Sequence, residues 1–130
     1  MKILFITLFL WSCSSVQTID TFKSKYDEKE VIQYTLNENF QGIFQRASQI
    51  VKKCQTRSQI GNSFWTEDKL FQDSASISIH LNSMVYGKKY KGHLELKKLS
   101  PDQTLVKIWG TKTAFERAIQ GKTSCLYNLF

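Results

Sequence analysis

Residues 74–81 have the sequence Ser-Ala-Ser-Ile-Ser-Ile-His-Leu, in which polar and apolar side chains alternate without interruption. Successive side chains of a β-strand point to opposite faces of a sheet, so this pattern predicts a strand with one buried face. Residues 90–97 repeat the alternation, with Tyr90, Gly92, Leu94 and Leu96 on the apolar side. Residues 82–89 contain Gly87 and predict a hairpin loop between the two strands. The two stretches therefore predict an antiparallel pair.

An amphipathic helix is predicted from about Glu38 to Lys53, because apolar residues recur there every three or four positions. They form one stripe, made of Phe40, Ile43, Phe44, Ala47, Ile50, Val51 and Cys54. Asn37 is a suitable N-cap, and an acidic first turn with a lysine-rich last turn is what the helix dipole favours. We expect the apolar stripe to pack on the sheet.

Further strands are predicted at residues 31–36, 63–71 and 104–109, of which 63–71 is the least regular. The capping-box spacing of Thr113 and Glu116, followed by a helix stop at Gly121, predicts a short C-terminal helix. The element order predicts the α+β fold class. We expect an amphipathic helix packed on an antiparallel sheet of about four strands, plus a short C-terminal helix, in a single globular domain over residues 30–130.

The first thirteen residues contain Lys2, an apolar run over residues 3–11, and the tetrapeptide Leu10-Trp11-Ser12-Cys13. The run is shorter than the roughly 20 apolar residues that span a bilayer, and its order of features is typical of a signal peptide. The tetrapeptide resembles the lipobox of bacterial lipoproteins, with Trp11 departing from the usual small or branched residue. The resemblance implies a signal peptide over residues 1–12 and acylation of Cys13.

A lipidated Cys13 would also define a location. An aspartate after the lipidated cysteine retains many Gram-negative lipoproteins at the inner membrane, whereas this chain has Ser14. The resemblance therefore implies an anchor on the periplasmic face of the outer membrane. Cleavage after Ser14 or Ser15 by a conventional signal peptidase would instead release a soluble periplasmic or secreted protein. Residues 13–29 are polar with isolated apolar side chains, and we interpret them as a lipidated N-terminus and flexible tether spanning about 20 Å.

Cys54 and Cys125 are left as a pair once Cys13 is lipidated. Exported proteins fold in oxidising compartments, so we predict a disulfide between them. Two separately buried thiols are the alternative. Together with the lipobox, these cysteines make the body of the chain resemble small Gram-negative lipoproteins of unassigned function, and that resemblance implies no activity.

The chain is basic, with a formal net charge of +7. A basic surface attracts anionic polymers and acidic proteins. Because an exported protein rarely meets nucleic acid, we expect none as a partner, and we expect an envelope protein or anionic polymer besides the membrane itself. The candidate binding surface consists of Tyr86, Lys88, Lys89, Tyr90 and Lys91. The alternative is that these lysines are solvated and protect a sheet edge from aggregation.

Symmetric pairing of the hairpin would place Ser78 opposite His93 and His80 opposite Lys91, with both histidines on one face. Neither histidine belongs to a catalytic motif, and no third metal ligand accompanies them, so we expect no cofactor and no catalysis. Glu67 and Asp68 are neighbours on one strand and should point to opposite faces. The favoured hypothesis is a lipid-anchored envelope protein that acts by interaction, as an adaptor or accessory component of an envelope assembly. The alternative is an inhibitor or immunity-type protein against an enzyme that attacks the envelope.

Overall fold

The computed structural model describes residues 17–54, 62–83 and 87–125. In chain order these residues form α1 (Ile19–Ser24), β1 (Ile32–Leu36), α2 (Phe40–Cys54), β2 (Asn62–Leu70), β3 (Ser74–Ser83), β4 (Gly87–Ser100), β5 (Gln103–Trp109) and α3 (Lys112–Ile119). The predicted α+β class is confirmed. The described sheet has five strands, close to the predicted number of about four, and they correspond to the five stretches predicted as strands. Among the described helices, none has the length and apolarity needed to span a membrane.

The sheet is antiparallel throughout, with the strand order β1-β5-β4-β3-β2. Consecutive strands from β2 to β5 are neighbours, as short connections favour. The exception is β1, which pairs with β5 across most of the chain and joins Tyr34 to Val106 in register. This long-range pairing makes β1 one edge strand of the sheet, and β2 is the other.

Helix α2 lies on one face of the sheet and buries the predicted apolar stripe. Phe40, Ile43, Ala47 and Val51 are almost completely buried. They pack against Ala75, Ile77, Ile79, Leu94, Leu96, Val106 and Ile108 from the strands. The predicted N-cap was wrong by two residues, since the Asn39 side chain, not Asn37, accepts the hydrogen bond from the Gln41 amide at 2.9 Å. We call this helix-covered side of the sheet the core face.

Helix α3 completes the core face, with Phe115, Ala118 and Ile119 buried. It begins at Lys112, with Thr111 at φ 39° and without a side-chain cap, so the predicted capping box at Thr113 was wrong. Its closeness to the sheet explains Gly92, where a Cβ atom would lie 1.8 Å from the Thr111 hydroxyl oxygen. The predicted stop at Gly121 is confirmed, with φ 76° and an amide that donates to the Ala118 carbonyl.

A register shift between Ile79 and His80 displaces β4 against β3. Ile79 faces Gly92 as expected, but His80 faces Tyr90 instead of Lys91. An extra residue in one strand turns all later side chains to the opposite face. Tyr90 therefore leaves the apolar row predicted for it and lies on the other side of the sheet.

The hairpin loop predicted over residues 82–89 is shorter than expected. Asn82 pairs with Lys88 and Leu81 with Lys89, so both strands continue past the predicted ends. Residues 84–86, including Tyr86, lie outside the described residues.

The prediction of a flexible tether was wrong for residues 17–29. Ile19–Ser24 forms α1, whose Thr18 side chain accepts a hydrogen bond from the Thr21 amide, and Phe22 is only 3% exposed. Ile19, Phe22 and Tyr26 follow the helical spacing of i, i+3 and i+7, which was visible in the sequence. Residues 13–16, including Cys13, lie outside the described residues.

Cys54 at the end of α2 is joined to Cys125, the predicted pair, with the sulfur atoms 2.09 Å apart. The bridge closes a loop of 71 residues, for which the chain-entropy model gives a stabilisation of about 4 kcal/mol. Arg46 adds a polar connection between the helices, since its Nε donates to the Ile119 carbonyl while its guanidinium binds Glu38. The core face is thus held covalently and by polar contacts as well as by packing.

Candidate binding groove

The side of the sheet opposite α2 carries a concavity of about 540 Å³, which we call the groove. Its floor is formed by β3, which presents the small side chains Ser74, Ser76 and Ser78 in a row. Longer side chains of the neighbouring strands flank this row: Glu67 and Lys69 from β2, and His93, Glu95 and Lys97 from β4. The groove exists because the small side chains of β3 lie between two rows of longer side chains on β2 and β4. We call this side of the sheet the groove face.

Helix α1 and Phe71 limit the groove at its two ends. Ile19 and Lys23 of α1 line it beside Tyr90, and Phe71 lines it near the β2–β3 turn. Phe71 is 58% exposed, an unusual value for a large apolar side chain. The groove therefore combines apolar side chains at its ends with a polar floor and charged walls.

A hydrogen-bond network runs across the floor and fastens α1 to the sheet. The Ser78 hydroxyl lies 2.7 Å from His93 Nδ1, and His93 Nε2 lies 3.1 Å from Glu95 Oε1. A carboxylate only accepts, so His93 Nε2 donates to Glu95, while Nδ1 shares a hydrogen bond with the Ser78 hydroxyl. Lys23 of α1 binds the same Glu95 oxygen.

The charge of Glu95 is stabilised by this network. Burial alone would raise the pKa of the Glu95 carboxyl, but hydrogen bonds from His93 and Lys23 lower it to about 2. Lys23 also places its ammonium 4.6 Å from the centre of the Trp109 ring, within cation–π range. One lysine thus makes two charge-dependent contacts between α1 and the sheet.

The hydroxyl of Ser78, the imidazole of His93 and the carboxylate of Glu95 are hydrogen-bonded in the same sequence as a catalytic triad. Their surroundings do not favour nucleophilic catalysis. Ser78 is only 6% exposed. It lies on a strand that pairs on both sides, so the neighbouring backbone amides donate within the sheet and do not form an oxyanion hole. Glu95 is shared with Lys23. These features indicate a structural network that positions the groove wall.

An aromatic cluster borders the groove next to Tyr90. The rings of Trp65 and His80 stack with centroids 3.8 Å apart, and Tyr90 lies 4.3 Å from His80. Burial lowers the pKa of His80, and the nearby Glu67 carboxylate opposes this effect only in part. His80 Nε2 lies 3.3 Å from a Glu67 oxygen but without hydrogen-bond geometry. The neutral ring is therefore held mainly by stacking.

Four residues of the predicted binding surface are described, Tyr86 lying outside the described residues, and these four do not share one face of the sheet. Lys88 and Tyr90 face the groove side, Lys89 pairs with Leu81 on the other side, and Lys91 lies at the register shift. Tyr90 is half-buried between His80 and Phe22. Sequence reasoning missed the groove walls contributed by α1, although the helical spacing of Ile19 and Phe22 was available.

The expectation that Glu67 and Asp68 point to opposite faces is confirmed. Glu67 lines the groove, whereas Asp68 accepts a hydrogen bond from Ser48 and forms an ion pair with Lys52, both on α2 at the core face. Within residues 17–54, 62–83 and 87–125, no group of three or more His, Cys, Asp or Glu side chains is arranged to hold a metal ion.

Comparison with known proteins identifies neither a family nor a relative of this chain. Compared with models of protein families and with curated protein sequences, the chain matches none.

Proposed function

We propose that this chain is an envelope protein anchored to the outer membrane through lipid on Cys13, and that its domain acts by binding. The lipobox-like tetrapeptide Leu10–Cys13 supports the anchor. The observation that carries the binding proposal is the groove, which has a floor of serine side chains and walls of charged side chains. Its occupant would be a segment of an envelope protein or of an anionic envelope polymer.

The arrangement of polar groups favours binding over catalysis. The side chains that could act as base or nucleophile already bind one another, and they fix α1 as a wall. Other side chains of the groove, among them Lys97 and Ser76, lie outside this network and can donate hydrogen bonds to a ligand. A rigid, preformed cleft of this kind is typical of a binding module.

The proposal is tested by filling the groove. Ser76→Trp would place an indole on the floor, whereas Gln49→Trp adds the same side chain at an exposed position on α2. Tagged protein from gently solubilised envelopes should retain its partner with Gln49→Trp and lose it with Ser76→Trp. Circular dichroism should show that both variants are folded. Equal recovery of the partner with both variants would show that binding lies elsewhere.

The anchor requires its own measurement. Mass spectrometry of the mature N-terminus should find acyl chains on Cys13, and Cys13→Ala should release the protein from membranes. A mature N-terminus at Ser15 or Val16 without lipid would contradict the anchor and leave the binding proposal standing. If the captured partner were instead a foreign enzyme that attacks the envelope, the inhibitor hypothesis would replace the adaptor hypothesis.

A further inference from the structure

The folded part of the chain begins much closer to Cys13 than its sequence suggests. Gln17 is already fixed, since its side-chain oxygen accepts a hydrogen bond from the Tyr90 amide at 2.9 Å. Thr18 then caps α1, and Phe22 is buried. Four Cα–Cα steps separate Cys13 from Gln17. Even fully extended, such a segment spans only about 14 Å.

This connection starts at one particular end of the groove. Gln17 binds the backbone of Tyr90, and Tyr90 itself lines the groove beside Ile19 and Lys23. Gln17, whose side chain binds this end of the groove, therefore lies within about 14 Å of the lipid attachment point. A domain held this closely cannot stand off from the bilayer, and the side of the domain nearest the anchor must lie next to it.

The exposed side chains of the groove face suit a membrane interface. Trp65 is 39% exposed and Phe71 is 58% exposed. The large exposed apolar side chains in the described part of the chain lie on strands or their turns and not on α2 or α3, and they are Trp65, Leu70, Phe71 and Leu99. Of these, Trp65 and Phe71 lie on the groove side. Aromatic rings favour the region between lipid headgroups and acyl chains. The exposed Lys88 and Lys97 on the same side add attraction to anionic headgroups.

We propose that the groove face lies against the bilayer, with α1 at the membrane and α2 and α3 pointing into the aqueous compartment. This orientation rests on the proposed lipid anchor at Cys13. It also narrows the class of partner, because a molecule that reaches the groove must be embedded in the membrane or lie flat on it. The exposed rim of the groove face therefore contacts the lipid headgroups, and a segment that enters the groove itself must belong to a membrane-associated molecule.

Lysine acetylation measured by mass spectrometry can test the orientation, because the chain has lysines on both sides. The lipidated full chain would be placed in vesicles of phosphatidylethanolamine and phosphatidylglycerol. Lys88 and Lys97 on the groove face should react at least about fivefold more slowly than in the lipid-free Cys13→Ala protein. Lys52 on α2 and Lys112 on α3 are the matched controls and should react at unchanged rates.

The two proposals fail in different ways. Protein that does not float with the vesicles would contradict the anchor itself. Protein that floats but shows equal acetylation rates on both faces would overturn the orientation alone. A flexible insert of about 15 residues between Ser15 and Val16 should restore the reactivity of Lys88 and Lys97. Protection that survives this insertion would overturn the role of the short connection.

Discussion

The two faces of the sheet are built from alternate residues of the same strands, yet they serve different purposes. On the core face, Ile77, Ile79 and Leu94 are completely buried under α2 and α3. On the groove face, Ser76, Ser78 and His93 lie beside the six-residue α1 and a cavity of about 540 Å³. The core face supplies stability through apolar burial, whereas the groove face leaves an open space above small polar side chains.

The two helical covers also differ in how they are attached. Helix α2 is 15 residues long, buries a full apolar stripe and ends in a disulfide. Helix α1 buries one aromatic side chain and otherwise depends on Lys23 and its polar contacts. We therefore expect the core face to determine global stability and the groove face to respond locally. Three predictions test this difference.

The largest expected effect belongs to the core face. Ile77→Ala removes a fully buried side chain and should lower the free energy of unfolding by about 3 kcal/mol. Ser76→Ala, one residue away on the groove face, should change it by less than about 0.5 kcal/mol. Urea denaturation of both variants measures the contrast. Similar losses for the two variants would mean that the faces do not divide stability in this way.

An intermediate effect is expected where α1 meets the groove face. Phe22 is in contact with Tyr26 and Tyr90, with ring centroids 5.2 and 5.6 Å apart respectively. Phe22→Ala should release α1 and speed amide exchange in Ile19–Ser24 at least about tenfold, while α2 remains protected. The exposed Lys25→Ala serves as the control variant. If α2 lost protection to the same extent, α1 would have to be counted as part of the core.

The smallest effect concerns the charge of Glu95. Its pKa, which burial would raise, is held at about 2 by hydrogen bonds from His93 and Lys23, against 4.5 for an unperturbed carboxyl. A lowered folded-state pKa means that the ionised group stabilises the protein above pH 4.5 and loses this contribution as the pH falls towards 2. Since Glu95 is 35% exposed, we expect only about 1–2 kcal/mol after allowance for solvent screening.

Urea denaturation at several pH values provides the measurement. Glu95→Gln should be less stable than the wild-type protein at pH 7, and the difference should shrink progressively below pH 4.5 and be small by pH 2, where half of the folded wild-type carboxyl is protonated. A stability difference that stays constant down to pH 2 would mean that the Glu95 charge does not hold α1.

Much of the core face was predictable from local pattern. The alternation over residues 74–81 and the stripe from Phe40 to Cys54 predicted a strand and a helix whose apolar sides meet, and they do. Periodicity reports burial directly, because the chain must hide its apolar side chains whatever partner they find. Errors there were confined to element ends, as with Asn39 replacing Asn37 at the cap.

The groove face was much less predictable. A register shift beside Ile79 moved Tyr90 to the groove side, and no local signal marks such a shift in this sequence. The pairing of Ser78 with His93 followed from hairpin symmetry, but its extension through Glu95 to Lys23 depends on a helix 72 residues away in the chain. Contacts of that separation are invisible to local pattern.

Local sequence thus accounted for most of the secondary structure, the amphipathic sides of α2 and β3, and the cysteine pair. Each of these depends on the residue types themselves and on their spacing. Tertiary packing was needed to turn a predicted tether into α1 and to place Lys23 on Glu95. It was also needed to leave an open space above a row of serines. The reason is physical: a groove is the space between elements, and it exists only once distant parts of the chain have packed around it.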